Sequence, residues 1–138
     1  MRYFSVSQKV RIMKKTLILI ITIALSASVK AQLANTSWKG NFSIPDRTEM
    51  ILQFKTDTLL LNYSYGGTLE TMSYKINNDT LSLRKLNGQS DCGYSEATYK
   101  IEIKDKKLTL SALGDDCVVR VDSWPSEGLE KIEPTSGS

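Results

Sequence analysis

The chain has 138 residues, with 18 basic and 15 acidic side chains and no histidine. This length is sufficient for one domain with one modest hydrophobic core. The lack of histidine excludes Ser/His and Cys/His catalytic pairs and imidazole metal sites. No glycine-rich segment follows a predicted strand and opens a helix, which also excludes a phosphate-binding loop. The sequence therefore points away from enzymes, and we expect no cofactor.

An export signal is predicted over residues 1–31. Two lysines after Met13 precede an apolar run that ends at Leu25, and small residues then lead to a cleavage site after Ala31. Met13 is a better start site than Met1. The apolar run is too short to span a membrane. We therefore expect a secreted or periplasmic protein without a stable membrane anchor, whose mature chain begins at Gln32.

Removal of residues 1–31 changes the charge balance, because that segment carries six basic and no acidic side chains. Of the 18 basic side chains 12 remain against 15 acidic ones, a net charge of about −3. Net charge therefore does not favour nucleic acid or an anionic membrane surface as a partner, since binding to either needs a positive field, and we expect no nucleic acid partner. We expect one domain over 32–132 and a disordered tail over 133–138.

Short alternating strands separated by turn residues fill this domain. Their spacing leaves no room for crossover helices, so the pattern predicts an all-β fold, a small antiparallel up-and-down meander barrel of about eight strands. The last strand is predicted around Val119 and Val121, and one short helical turn capped by Ser126 is predicted after it. The predicted turns are Pro45-Asp46-Arg47, Thr56-Asp57, Gly66-Gly67, Asn77-Asn78-Asp79, Asn87-Gly88, Asp105-Lys106 and Gly114-Asp115-Asp116.

One face of each predicted strand is apolar, which indicates a barrel interior. The alternation is clearest over residues 97–104, where Thr, Lys and Glu side chains alternate with apolar ones. The residues predicted to face inward are Trp38, Phe42, Met50, Leu52, Phe54, Leu59, Leu61, Tyr63, Tyr65, Met72, Tyr74, Ile76, Leu81, Leu83, Ala97, Tyr99, Ile101, Ile103, Leu108, Leu110, Ala112, Val119 and Val121.

The two cysteines, Cys92 and Cys117, both lie in the exported part of the chain. In an oxidising compartment we expect them to form one disulfide. A catalytic or metal-binding thiol is the alternative, although the chain has no second C-x-x-C element. Asp91, Asp115 and Asp116 lie next to the cysteines. They are either solvated turn residues, a Ca²⁺ site or a pair of acid/base carboxylates.

Four tyrosines are the predicted ligand-binding residues: Tyr63, Tyr65, Tyr74 and Tyr99. An eight-stranded barrel is barely wide enough for its own side chains or one small ligand. The interior is therefore either a filled core or a cavity at whose wet rim these rings cluster. Because Tyr63 and Tyr65 point the same way before Gly66-Gly67, both rings should reach the same rim.

The sequence Trp38-Lys39-Gly40 on the first strand, the late Arg120, the D-x-L-x-L hairpins and the late cysteine resemble the calycin superfamily over residues 33–124. The closest resemblance is to short lipocalin-like domains of small secreted bacterial proteins. This resemblance implies barrel closure by Trp38 packed against Arg120. A surface charge is the alternative for Arg120. In the protease-inhibitor branch an N-terminal arm enters the enzyme, which implies the same role for an exposed arm at Gln32 to Thr36.

Two functional classes follow from these observations. The first is a non-enzymatic barrel that binds a small apolar or amphipathic ligand at its mouth. The alternative is a protein-binding barrel, such as an inhibitor of an exported hydrolase, that acts through its arm or loops.

Overall fold

A computed structural model describes residues 28–134. The predicted export signal lies almost entirely outside the described residues, as does most of the predicted tail. Within them two short helices and eight strands follow the chain in the order α1, β1 to β7, α2, β8. Their bounds are α1 Val29–Leu33, β1 Thr36–Ser43, β2 Arg47–Phe54, β3 Thr58–Tyr63, β4 Thr68–Asn77, β5 Thr80–Gly88, β6 Ala97–Lys104, β7 Lys107–Gly114, α2 Val118–Ser123 and β8 Leu129–Ile132.

The eight strands form one closed antiparallel barrel in chain order, with β8 paired to both β7 and β1. This confirms the predicted all-β up-and-down barrel. Burial alternates along β6 as the sequence predicts, with Ala97, Tyr99 and Ile101 buried and Lys100 and Glu102 exposed. Most of the predicted inward residues form one hydrophobic core, and Ala112, Tyr65 and Val119 are the exposed exceptions.

Antiparallel neighbours place the connections at two ends of the barrel. The connections after β1, β3, β5 and β7 meet at one end, which we call the mouth: residues 44–46, 64–67, 89–96 and 115–128. The other end, which we call the base, holds α1 and the connections 55–57, 78–79 and 105–106. At the base, Asp105 and Lys106 both have positive φ, the conformation that a two-residue hairpin requires.

The last strand is not where the sequence predicts it. Val119 and Val121 belong to helix α2, because the chain turns sharply after β7. Asp115 accepts a hydrogen bond from the backbone nitrogen of Cys117 (2.9 Å) at the start of this turn. Pro125 holds Trp124 in an extended conformation and so ends the helix. A six-residue valine-rich segment fits either a strand or a helix, so periodicity alone misassigns it.

The segment predicted as a helical turn contains the strand that closes the barrel. A turn joins the Gly128 nitrogen to the Pro125 carbonyl at 3.1 Å, and β8 follows at Leu129. Without β8 the facing edges of β1 and β7 would stay unpaired. Gly40 accommodates this strand, since a Cβ atom there would lie 2.5 Å from the Leu129 side chain.

The predicted N-terminal arm is not free. Its residues Gln32 and Leu33 end α1, whose first three residues belong to the predicted export signal, and the Leu33 side chain is fully buried in the core. The Thr36 hydroxyl donates a hydrogen bond to the Leu33 carbonyl and accepts one from Trp38 Nε1 at 2.8 Å. The base is therefore covered by the segment that was expected to be exposed. None of the helices in residues 28–134 is long and apolar enough to cross a membrane.

Candidate functional site

A cavity of about 360 Å³ opens at the mouth of the barrel. Its floor is apolar and is formed by Phe42, Leu61, Leu69 and Met72. Helix α2 and the residue after it cover one side through Val119 and Trp124. Such a volume lies at the lower end of the range for small-molecule sites, which are concave and mostly apolar. The interior is therefore a filled core towards the base and a cavity at the mouth.

A second depression, of about 660 Å³, lies on the outside of the barrel near the base. Its lining is almost entirely charged and includes Lys104, Lys106, Lys107 and Lys131 with three acidic residues. Because it offers no apolar wall, it would not desolvate a small ligand. The mouth cavity is the better candidate site.

Buried charges form the polar wall of the mouth cavity. Arg120 on α2 is only 9% exposed and donates from Nε and Nη2 to both Asp115 carboxylate oxygens, at 2.7 and 2.8 Å. Its Nη1 lies 3.5 Å from Glu70, which is 3% exposed. Glu70 and Arg120 both line the cavity. A buried ion pair of this kind needs further hydrogen bonds to offset the loss of hydration.

Those further hydrogen bonds are present. Asp115 accepts a hydrogen bond from the Tyr99 hydroxyl, and Glu70 accepts one from the Ser90 hydroxyl. Lys85, on the neighbouring strand β5, is also buried and donates to the carbonyls of Ser90 (2.8 Å) and Cys92 (3.0 Å). The loop after β5 is therefore fixed to the inside of the barrel by charged side chains.

The two carboxylates that contact Arg120 differ in pKa. Burial raises the pKa of Glu70, and the attraction of Arg120 and Lys85 offsets this only in part. Burial acts in the same direction on Asp115, but hydrogen bonds from Arg120 and Tyr99 outweigh it and lower the pKa of Asp115. Burial, with the Asp115 hydrogen bond, raises the pKa of Tyr99 to about 12. Asp115 is therefore the main partner of Arg120.

Glu70 and Lys85 are the site residues that sequence reasoning missed. The inward set Met72, Tyr74 and Ile76 extends by two residues to Glu70, and the set Leu81 and Leu83 extends to Lys85. This continuation of the two-residue period was the available signal. Bulges between β3 and β4 and between β4 and β5 adjust the register beside both residues without reversing their faces.

Cys92 and Cys117 form the predicted disulfide. It joins the loop after β5 to the residue before α2, and Cys92 lies in the wall of the cavity. The bond thus ties together two of the segments that surround the mouth. A disulfide is compatible with an extracellular location.

The four predicted ligand-binding tyrosines do not form one cluster, and none of them lines the mouth cavity. Tyr63 and Tyr65 stack at the mouth with ring centroids 5.0 Å apart, and Tyr65 is 79% exposed. Tyr99 is buried against Asp115, as described above. Tyr74 is buried towards the base, where its hydroxyl donates to the Lys55 carbonyl. A role of these tyrosines in binding stays a prediction.

Arg120 fits neither reading that the sequence offered for it. It is buried, so it is not a surface charge, and its partners are Asp115 and Glu70 rather than Trp38. Trp38 is buried with its Nε1 bonded to Thr36, near the base. Trp124 lines the same cavity as Arg120, and its ring packs on Phe42 and Tyr99 at centroid distances of 5.4 and 5.6 Å.

The three aspartates beside the cysteines lie in different environments. Asp115 is turned inward to Arg120, whereas Asp91 and Asp116 are exposed. Across residues 28–134 no group of three or more His, Cys, Asp or Glu side chains could hold a metal ion.

Comparisons with known proteins do not indicate a function for the site. No family model, no curated protein and no solved structure matches the chain. The resemblance to lipocalin-like domains therefore stays a prediction.

Proposed function

We propose that this protein is an exported, non-enzymatic barrel that binds a small apolar or amphipathic ligand in its mouth cavity. The observation that carries the proposal is the cavity itself, with an apolar floor and two buried charged residues in its wall. Apolar walls with a few placed polar groups are typical of ligand sites. The disulfide between Cys92 and Cys117 supports export.

A binding titration with N-phenyl-1-naphthylamine, an uncharged fluorescent probe of apolar sites, tests the proposal. Neighbouring valines on α2 provide a matched pair of variants, since both are exposed (67% and 64%) but only Val119 lines the cavity. We expect saturable binding of one probe per chain. Val119→Trp should obstruct the cavity and weaken binding by about tenfold, whereas Val118→Trp should bind like the unaltered protein.

An equal effect of the two tryptophan substitutions would contradict this proposal, as would the absence of saturable binding. Far-UV circular dichroism of both variants serves as the control for folding.

Protein binding is the second candidate function, and the distribution of exposed apolar side chains favours it. The large ones in residues 28–134 lie in or beside the mouth: Tyr65, Leu86, Tyr94, Leu113, Val118 and Val119. Exposed apolar groups concentrated in one region indicate an interaction surface. An inhibitor of an exported hydrolase would then act through the mouth loops, because Leu33 holds the N-terminal segment in the core. Under this alternative both tryptophan variants lose the partner and neither changes probe binding.

A further inference from the structure

We infer that the ligand is a cationic amphiphile, an amine on an apolar body, whose ammonium group pairs with Glu70 inside the mouth cavity. This inference rests on the proposed function and specifies the class of ligand.

Glu70 has an incomplete set of hydrogen-bond partners. One of its oxygens accepts from the Ser90 hydroxyl, and the other has only the 3.5 Å contact with Arg120 Nη1. An ionised carboxylate offers about four acceptor positions. Glu70 is almost fully buried and lines the cavity, so water is a limited source of further donors. A donor on the ligand would complete the set.

The nearby cations, on Arg120 and Lys85, make their shortest hydrogen bonds to groups other than Glu70. Arg120 directs two of its nitrogens to Asp115 at 2.7 and 2.8 Å, in the paired geometry that gives strong charge-assisted hydrogen bonds. Lys85 donates to two backbone carbonyls and makes no hydrogen bond to Glu70. A cationic ligand at Glu70 would displace neither the Arg120–Asp115 pair nor the two Lys85 hydrogen bonds.

The rim of the mouth carries a negative excess of charge. The four buried charges, on Glu70, Lys85, Asp115 and Arg120, cancel in number. Exposed aspartates around the mouth then leave a negative excess, and none of them forms an ion pair within residues 28–134: Asp46, Asp91, Asp116 and Asp122. An excess of negative charge at the entrance of a cavity attracts ligands of the opposite sign. Asp91 also lies in the cavity wall, so the excess reaches the entrance.

The apolar part of the ligand has a matching surface. The floor residues Phe42, Leu61, Leu69 and Met72 would contact a hydrocarbon or aromatic body, while Glu70 stands among them on β4. Burial of apolar surface would supply most of the affinity. The ammonium–carboxylate pair would favour cationic ligands over neutral ones.

Calorimetric titration at pH 7 tests the inference with three ligands of equal chain length: decylamine, decan-1-ol and decanoate. Each ligand is kept below the concentration at which it aggregates. Decylamine should bind at least about tenfold more tightly than decan-1-ol, because a tenfold difference corresponds to one charge-assisted hydrogen bond. Decanoate should bind more weakly than decan-1-ol, because it meets the negative excess.

Two variants assign the preference to Glu70. Glu70→Gln keeps the shape and removes the charge, so decylamine and decan-1-ol should then bind within about twofold of each other. Glu102→Gln removes the same charge from an exposed position on β6 outside the mouth cavity and should leave the preference unchanged.

Equal binding of the amine and the alcohol by the unaltered protein would overturn this inference, and so would tightest binding of decanoate. Both results leave the proposed function standing, since a ligand still binds. If none of the three ligands nor the neutral fluorescent probe binds, the proposed function fails and this inference fails with it. The ranking by the unaltered protein can overturn the inference by itself, and Glu70→Gln is needed to assign a preference for the amine to Glu70.

Discussion

Glu70 and Asp115 respond to pH in opposite directions, although both contact Arg120. The pKa of Asp115 is lowered, so its contribution to stability is present above its ordinary value of 3.8 and is lost as the pH falls through the folded-state value. The pKa of Glu70 is raised, so its contribution is present below its ordinary value of 4.5 and is lost as the pH rises through the folded-state value.

Glu70→Gln should therefore stabilise the protein relative to the unaltered chain as the pH rises. The difference in the free energy of unfolding should be constant below about pH 4.5 and should grow above it until Glu70 is fully ionised. Urea unfolding at intervals between pH 4 and pH 8 measures this difference. A difference that shrinks with rising pH would mean that the ionised carboxylate stabilises the fold.

At the residue level the sequence predicts the core better than the site. Alternation places Met72, Leu83 and Tyr99 inside, because apolar side chains follow the two-residue period of a strand. Glu70 and Lys85 follow the same period, but a charged side chain is normally assigned to the surface. Only the three-dimensional structure shows why they are buried. Glu70 contacts Arg120 and Ser90, and Lys85 contacts the carbonyls of Ser90 and Cys92.

At the level of elements, the end of β5 is shaped by Gly88. This residue has a φ of +142°, and a Cβ atom there would lie 2.6 Å from the Leu69 carbonyl oxygen and 2.7 Å from the Glu70 Cα. At this close approach β5 lies against β4, beside the bulge between Lys85 and Asn87 in the pairing of the two strands. The predicted turn at Asn87-Gly88 is in fact the last part of this strand.

Gly88→Ala should destabilise the protein by roughly 1–3 kcal/mol, because the new methyl group meets backbone that cannot move freely. Gly93→Ala, in the loop after β5, is the matched control. A Cβ atom at Gly93 has no neighbour within 4 Å, so the change should stay within about 0.5 kcal/mol. Chemical denaturation of both variants provides the comparison. Equal stabilities would show that the strand pairing tolerates the methyl group.

Helix α2 is the element that the sequence could not identify. Its valines allow a strand, and the structure instead holds it across the mouth through the Asp115–Arg120 ion pair and the disulfide. The cysteines are 25 residues apart, and closing a loop of that length contributes about 3.5 kcal/mol in the chain-entropy model. These contacts join segments distant in sequence, so local propensity does not reveal them.

On the scale of the whole molecule, the barrel is asymmetric. Its base is closed by Leu33 and Trp38, whereas its mouth combines a cavity, buried charges and exposed apolar side chains. The sequence predicts the barrel because each hairpin is marked by local features, namely alternating strands separated by turn residues. It does not predict the cavity, since a void depends on how side chains from β1, β3, β4 and α2 leave space between them.

The methionine methyl groups report whether a ligand occupies the mouth cavity. Met72 lines the cavity, while Met50 is fully buried and lies outside its lining, so the two form an internal comparison. In a spectrum of the protein labelled with ¹³C at its methionine methyl groups, saturating N-phenyl-1-naphthylamine should shift the Met72 resonance through ring currents and give nuclear Overhauser contacts to it. Met50 should change little. An unchanged Met72 resonance in the presence of bound probe would place the probe elsewhere and contradict ligand binding in the mouth cavity.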